Sequence, residues 1–331
     1  KFIALKFPIY FSKKIAFSKD NKNNLSKVIV FIGRLSVALG IIVSLITVST
    51  GLGSKKAIES RLANFSGHIS VKSTRSNSSY NTSVLNKEGL KLNEIKNLEE
   101  VAGAQSYATV SGILRTEDNF DGVILKGVSK DFDAERFKDF MISGEVPKFT
   151  EKGYNNQVIL SEKIANDLHL KTKDSIVAVF SKEDQKLIYR KFEISGIYKT
   201  DIKMIDDLFI IGDINHVRKI QNMANDEVGG IDIFLKKTDE IDTAFPKIER
   251  LIGFKNFAEK ATDKYPQIVD WIGLFNTNIG IIISILLVVV IINIIMVLLI
   301  LIIERTNSIG VLKTLGATNG QIRAVFINYT L

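Results

Sequence analysis

The chain has 331 residues, with 44 lysines and arginines against 36 aspartates and glutamates, a formal net charge of +8. That excess is confined to the ends: residues 1–34 and 304–331 hold eleven basic and two acidic side chains, and the long middle is close to neutral. Charge of this origin excludes a phosphate-binding patch and makes nucleic acid no expected partner. The absence of cysteine excludes disulfide frameworks and thiolate-bound metal.

Residues 1–27 form a basic N-terminal segment. Residues 28–50, VIVFIGRLSVALGIIVSLITVST, are apolar apart from Arg34 and several hydroxyls, and are predicted to be a first transmembrane helix. Arg34 lies near one edge, where its long stem can snorkel to the headgroups. A signal peptide is the weaker reading. The apolar run exceeds the ~7–15 residues of a signal h-region, and no small-residue cleavage site comes after it.

Residues 51–270 are long enough for one sizeable or two small extracytoplasmic domains, with a core that needs no disulfide. The helix continues over 52–65, with Ile58, Leu62 and Phe65 at helical spacing. A strand over 68–73, a Ser/Asn/Thr-rich loop over 73–83 and a short helix over 90–98 come next. Residues 101–114 and 122–128 read as strands, and 161–168 as a helix capped by Ser161. Two alternating stretches, 175–180 and 188–197, flank SKEDQK as a hairpin. Strands over 208–211 and 231–235 each precede a helix, over 213–221 and 238–252. Strands and helices intermix without regular βα alternation, which points to an α+β domain.

No catalytic, cofactor-binding or metal residue is expected. His68, His169 and His216 are far apart and lack ligand spacing, and His68 beside a strand reads as structural or surface. No nucleophile elbow, zinc-protease helix or nucleotide-binding P-loop occurs. Asp206, Asp207 and the run DFDAERFKDF at 131–140 read as solvated helix or loop faces rather than metal or acid–base sites.

Residues 271–303 are predicted to be the second transmembrane helix with an interfacial lead-in. Residues 279–303 carry no charge; as a helix they run for about 37 Å, more than the ~30 Å hydrocarbon core requires. Asn293 within this span reads equally well as a partner for another helix or as a tolerated polar residue. The Lys/Arg bias of both flanks puts them in the cytoplasm and the middle outside.

Residues 304–321 are predicted to be a cytoplasmic elbow. Glu304 and Arg305 leave the interface; Ile309, Leu312 and Leu315 give a short helix an apolar face, with Gly316 as its stop. Thr318 and Gln321 have capping-box spacing ahead of Ile322, Val325 and Phe326, where 322–331 return to apolar sequence. From the residues alone, two readings stand: a helix resting on the membrane, or a surface that a partner grips.

The string ERTNSIGVLKTLGATNGQIRAVF resembles the cytoplasmic segment after the second span of FtsX/MacB-like ABC transporter permeases, E-[KR]-T-x-[ED]-I-G-[IV]-L-[KR]-[AT]-L-G-A-[ST]-x-x-Q-I. Ser308 replaces the usual acidic residue. SVALGIIVSLITVSTGL resembles the first span of the lipoprotein-releasing, LolC/LolE-type branch, and SGHISVKS its helix-to-strand passage. SGEVP, VILSEKIANDLHLKTKDSIVAVF and FEISGIYKT resemble the MacB-like periplasmic core domain, with Lys173-Asp174 where Gly-Asp is usual.

The resemblance implies α-helical transmembrane spans plus an α+β extracytoplasmic MacB-like core domain, in a multi-pass protein of the bacterial inner membrane. It implies four spans, so that residues 322–331 begin a third and the remainder is absent from this chain. It implies a non-catalytic permease subunit whose elbow (Glu304, Arg305, Ile309, Gly310, Leu312, Lys313, Leu315 and Gly316) docks on a separate cytoplasmic ABC ATPase dimer. A second permease subunit, a lipoprotein substrate and a periplasmic carrier are the other implied partners, and no cofactor is implied. A MacB-type efflux role is the nearest alternative, an FtsX-type activator of a wall hydrolase a further one. A two-span membrane sensor and a membrane-anchored hydrolase are alternatives from other classes.

Overall fold

The fold is described from a computed structural model, over residues 25–76, 80–150, 153–181, 186–304 and 306–330. In chain order the elements are α1 (Leu25–Ser66), β1 (Ile69–Ser73), α2 (Leu92–Lys96), β2 (Val101–Arg115), β3 (Phe120–Val128), α3 (Ala134–Phe137), β4 (Met141–Gly144) and β5 (Gln157–Ser161). Then come α4 (Glu162–Asp167), β6 (Ser175–Ser181), β7 (Leu187–Tyr198), α5 (Lys203–Asp206), β8 (Phe209–Asp213), α6 (Ile214–Ile220), β9 (Gly230–Leu235), α7 (Ile241–Glu249) and β10 (Asn256–Lys260). The chain closes with α8 (Ala261–Lys264), α9 (Pro266–Glu304), α10 (Thr306–Thr314) and α11 (Asn319–Thr330). The segment 1–27 lies largely outside the described residues.

The described residues form two compact units, one from those up to residue 54 together with those from 272 onward, and one from those within 55–271. In the first, α1 and α9 each contain a stretch long and apolar enough to cross a membrane. They pack antiparallel along a seam of small residues. A Cβ at Gly33 would come within 2.7 Å of Val297, at Gly40 within 2.9 Å of Val290, and at Gly51 within 2.2 Å of Ile279. Partly covered residues of α9 recur at Ile279, Ile283, Leu286, Val290, Asn293 and Val297, the 3.5-residue period of two helices that stay in contact. Asn293 therefore lies on the stripe that faces α1.

In the second unit the ten strands of the described residues belong to one sheet. The pairings β2–β3, β3–β8, β8–β5, β5–β7, β7–β6 and β6–β2 close a ring of six strands. Leu114, Leu125, Leu160, Phe180, Phe192 and Ile210 fill a core at this end, with Ile214 and Val217 of α6 against it. β2 is long enough to serve two layers: its first half pairs with β9, which continues through β1 to β10. There a second core holds Ile69, Ile95, Val101, Ile233, Ala244 and Ile248, covered by α2 and α7. β6 alternates between buried and exposed residues, whereas β8 and β9 are buried throughout. A largely antiparallel sheet with helices outside a regular βα order is an α+β fold, as the irregular order of strands and helices implies.

Most elements expected from periodicity are present within a few residues, including the Ser161 cap, whose hydroxyl accepts the Ile164 N–H at 3.1 Å. β4, β5 and β10 are additions. The solvated-face reading of residues 131–140 and of Asp206 and Asp207 holds for the exposed Glu135, Lys138 and Asp139, and is corrected at Phe137, Phe140 and Asp206. Phe137 and Phe140 are buried, and the Asp131 carboxylate accepts the Ser106 N–H at 2.8 Å. Asp206 is buried too, because it closes its own turn, accepting from the Thr200 N–H at 2.9 Å and hydroxyl at 2.8 Å.

Candidate functional site

The elbow is built by two local devices that the sequence dictates. α10 ends in a Schellman turn: Gly316 has φ +91°, its N–H donates to the Lys313 carbonyl at 3.0 Å, and the Ala317 N–H donates to the Leu312 carbonyl at 2.9 Å. A residue with a Cβ is strained in that left-handed conformation, so glycine is required. α11 then starts on a reciprocal capping box. The Thr318 N–H donates to Gln321 Oε1 at 3.0 Å, and the Gln321 N–H to Thr318 Oγ1 at 3.4 Å. The backbone N–H groups of residues 315–318 are therefore each held by a neighbour within the turn.

The apolar residues divide into two sets. Ile309 and Leu312 are half-buried, whereas Val311 is 60% and Leu315 78% exposed. Gly310, Lys313 and Gly316 are exposed. Arg305 and the side chain of Glu304 lie outside the described residues. Val311 and Leu315 are four apart, one turn, so they share a face. The 309–312–315 spacing passes over Val311, although its i, i+4 relation to Leu315 was the available signal.

Residues 34–251 match the MacB-like periplasmic core domain, and residues 280–331 match the FtsX-like permease C-terminal region. The chain belongs to the FtsX/MacB-like family of ABC transporter permeases. An uncharacterized membrane protein of Buchnera aphidicola is 20% identical over 97% of this chain and 77% of its own length. The lipoprotein-releasing system transmembrane protein LolC of Xylella fastidiosa is 21% identical over 88% of this chain and 70% of its own. Among solved structures, the extracellular domain of the ABC-type transporter YknZ from Gram-positive bacteria aligns with a TM-score of 0.39 at 16% identity, covering 58% of this chain and 99% of that one. The periplasmic region of MacB from Actinobacillus actinomycetemcomitans aligns with a TM-score of 0.39 at 15% identity, covering 61% and 92%.

Subunits of this permease family are generally non-catalytic components, and membership implies a partner ATPase. Among the described residues of this permease, no three His, Asp or Glu side chains are placed to share a metal ion. The histidines are accounted for separately. His68 is buried beside β1, with hydrogen bonds to Leu235 and Thr238. The His216 Nε2 lies 3.1 Å from the Asn155 carbonyl, and burial holds its pKa below the ordinary value. His169 is exposed, at φ +54° just past α4. Within the larger unit, a cleft of about 670 Å³ is lined by Ile58, Ile202, Met204 and Ile268, with Asp201, Lys203 and Asp207 at the same surface.

Proposed function

We propose that this permease subunit couples ATP hydrolysis by a separate cytoplasmic ATPase dimer to work outside the inner membrane, and that the work is release of lipoproteins to a periplasmic carrier. The observation that carries the coupling is the elbow. A turn held by a Schellman motif and a capping box leaves Val311 and Leu315 uncovered on one face of a short helix, where a lipid or protein surface can meet them. Lys313, with Glu304 and Arg305 by sequence, would form the charged rim; Ile309 and Leu312 would support the turn from its half-buried side. The basic flanks favour a cytoplasmic elbow, residues 304–321, directly after the second of two spans at 28–50 and 271–303, with 51–270 outside and a third span beginning at 322–331. A second permease subunit completes the assembly.

Lipoprotein as cargo is supported by the similarity to a protein named for lipoprotein release and by the aliphatic lining of the Ile58–Ile268 cleft, which suits an acyl chain. Depleting the full-length protein should leave outer-membrane lipoproteins stranded in the inner membrane. Normal lipoprotein sorting with a new sensitivity to drugs or toxins would instead assign the permease to the efflux branch. That second reading has one observation in its favour. β6 and β7 are joined by only residues 182–186, a short connection for a hook that holds a carrier.

A further inference from the structure

The first long helix runs without a break from Leu25 to Ser66, and its last turn ends on a charge buried in the sheet. The Lys126 ammonium of β3 donates to the Phe65 carbonyl at 2.8 Å and to Asp232 Oδ2 at 2.7 Å. The two charged side chains are 4% and 0% exposed. Phe65 belongs to the last turn, whose carbonyls have no partner within the helix, and the negative end of the helix dipole faces the ammonium.

The surroundings are built to bring these groups together. Asp232 Oδ1 accepts from the Ser70 hydroxyl at 3.0 Å, and Ser70 meets the Tyr107 hydroxyl at 3.0 Å. Lys126 also lies over the rings of Phe65 and Tyr107, 5.0 and 5.2 Å from their centres. Gly67, at φ +77°, turns the chain out of the helix; a Cβ there would sit 2.9 Å from the Asp232 Cβ and 3.0 Å from the Ile233 nitrogen. The second long helix is rooted nearby. Lys264, two residues before α9 begins at Pro266, holds its ammonium 5.3 Å from the Tyr107 ring centre.

A buried ion pair is a poor way to stabilise a core. Removing both charges from water offsets most of their attraction, and apolar side chains of similar volume usually serve as well or better. Burial lowers the Lys126 pKa, against the opposing pull of Asp232. An apolar pair, however, has no means of holding a backbone carbonyl in one direction. We propose that Lys126 and Asp232 are positioning residues, a tether that makes the end of the first membrane helix move with the sheet, so that displacement of the helix is delivered to the extracytoplasmic unit. This role rests on the ATP-coupled reading above. The Phe65 ring, packed on Tyr198 and Phe209, fills space around the joint; the carbonyl bond supplies its direction.

The test uses the full-length permease with its ATPase in lipid nanodiscs, comparing the parent with the double variant Lys126→Met/Asp232→Leu. Thermal unfolding reports whether the core survives. Amide exchange over residues 62–69 should become roughly ten- to a hundredfold faster, the range that a hydrogen bond to a charged group carries. Spin labels on cysteines replacing Asp118 and Asn307 should change separation on ATP addition in the parent and not in the variant, while ATPase co-purification and melting temperature are unchanged. If the double variant unfolds, Lys126→Gln, a shorter donor arm, is read in the same two ways. Unaltered exchange over 62–69, or an ATP-driven shift that survives the substitution, overturns the tether. A parent that shows no shift overturns the coupling reading itself, and the tether with it.

Discussion

His68 is buried with both ring nitrogens in use: Nδ1 accepts the Leu235 N–H at 3.2 Å and Nε2 donates to the Thr238 hydroxyl at 3.3 Å. Burial first, and the charge of Arg136 second, push its pKa from the ordinary 6.5 to about 4. The unfolded chain therefore takes up a proton between pH ~6.5 and ~4 that the folded chain refuses, and stability is lost as pH falls through that window. At ~1.4 kcal/mol per unit the loss amounts to about 3 kcal/mol by pH 4. Gln in place of His68 keeps a donor and an acceptor without titrating. The parent's unfolding midpoint should thus fall more steeply than that of His68→Gln between pH 7 and 4, and parallel curves would contradict the assignment. Single residues were legible where the partner is close in sequence, as at Ser161, Gly316 and the Thr318–Gln321 box. Asp206 was not, because the aliphatic and polar residues around it give no sign that its turn folds into the core.

At the scale of elements, the α1–α9 seam makes a direct prediction. The Cβ position at Gly33 lies 3.6 Å from the Val297 Cβ, inside the ~3.5–4.5 Å range of disulfides. The chain has no native cysteine, so Gly33→Cys/Val297→Cys should cross-link on mild oxidation and Gly33→Cys/Val290→Cys, two turns out of register, should stay reduced. Efficient cross-linking of the second pair alone would show a different register. The seam was present in the sequence as Gly33, Gly40, Ser44, Thr47 and Gly51, spaced by threes, fours and sevens, but hydropathy masks it, since glycine and hydroxyl residues among so many aliphatics look like interruptions. Strands that alternate strictly, such as β6 and β7, were legible. β4 and β10 were not, being four or five residues with mixed polar content, and the closure of β2, β3, β8, β5, β7 and β6 into a ring depends on pairings between residues far apart in the chain.

For the whole molecule, the central claim is that the elbow hands ATP-driven motion to the permease. Leu315 gives the cleanest test, because it is 78% exposed and its loss leaves the chain's own packing intact. Covering a leucine with a partner is worth ~1.5–3 kcal/mol, and a carboxylate in its place would enter that contact unpaired, at further cost. The measurement is co-purification of the ATPase, with permease-stimulated ATP hydrolysis, for full-length Leu315→Asp beside Asn319→Asp as the control in the turn. The account predicts that Leu315→Asp inserts normally and loses both the ATPase and the stimulation, while Asn319→Asp behaves as the parent; an ATPase retained by Leu315→Asp with full stimulation would contradict it and leave the elbow as a helix resting on the bilayer.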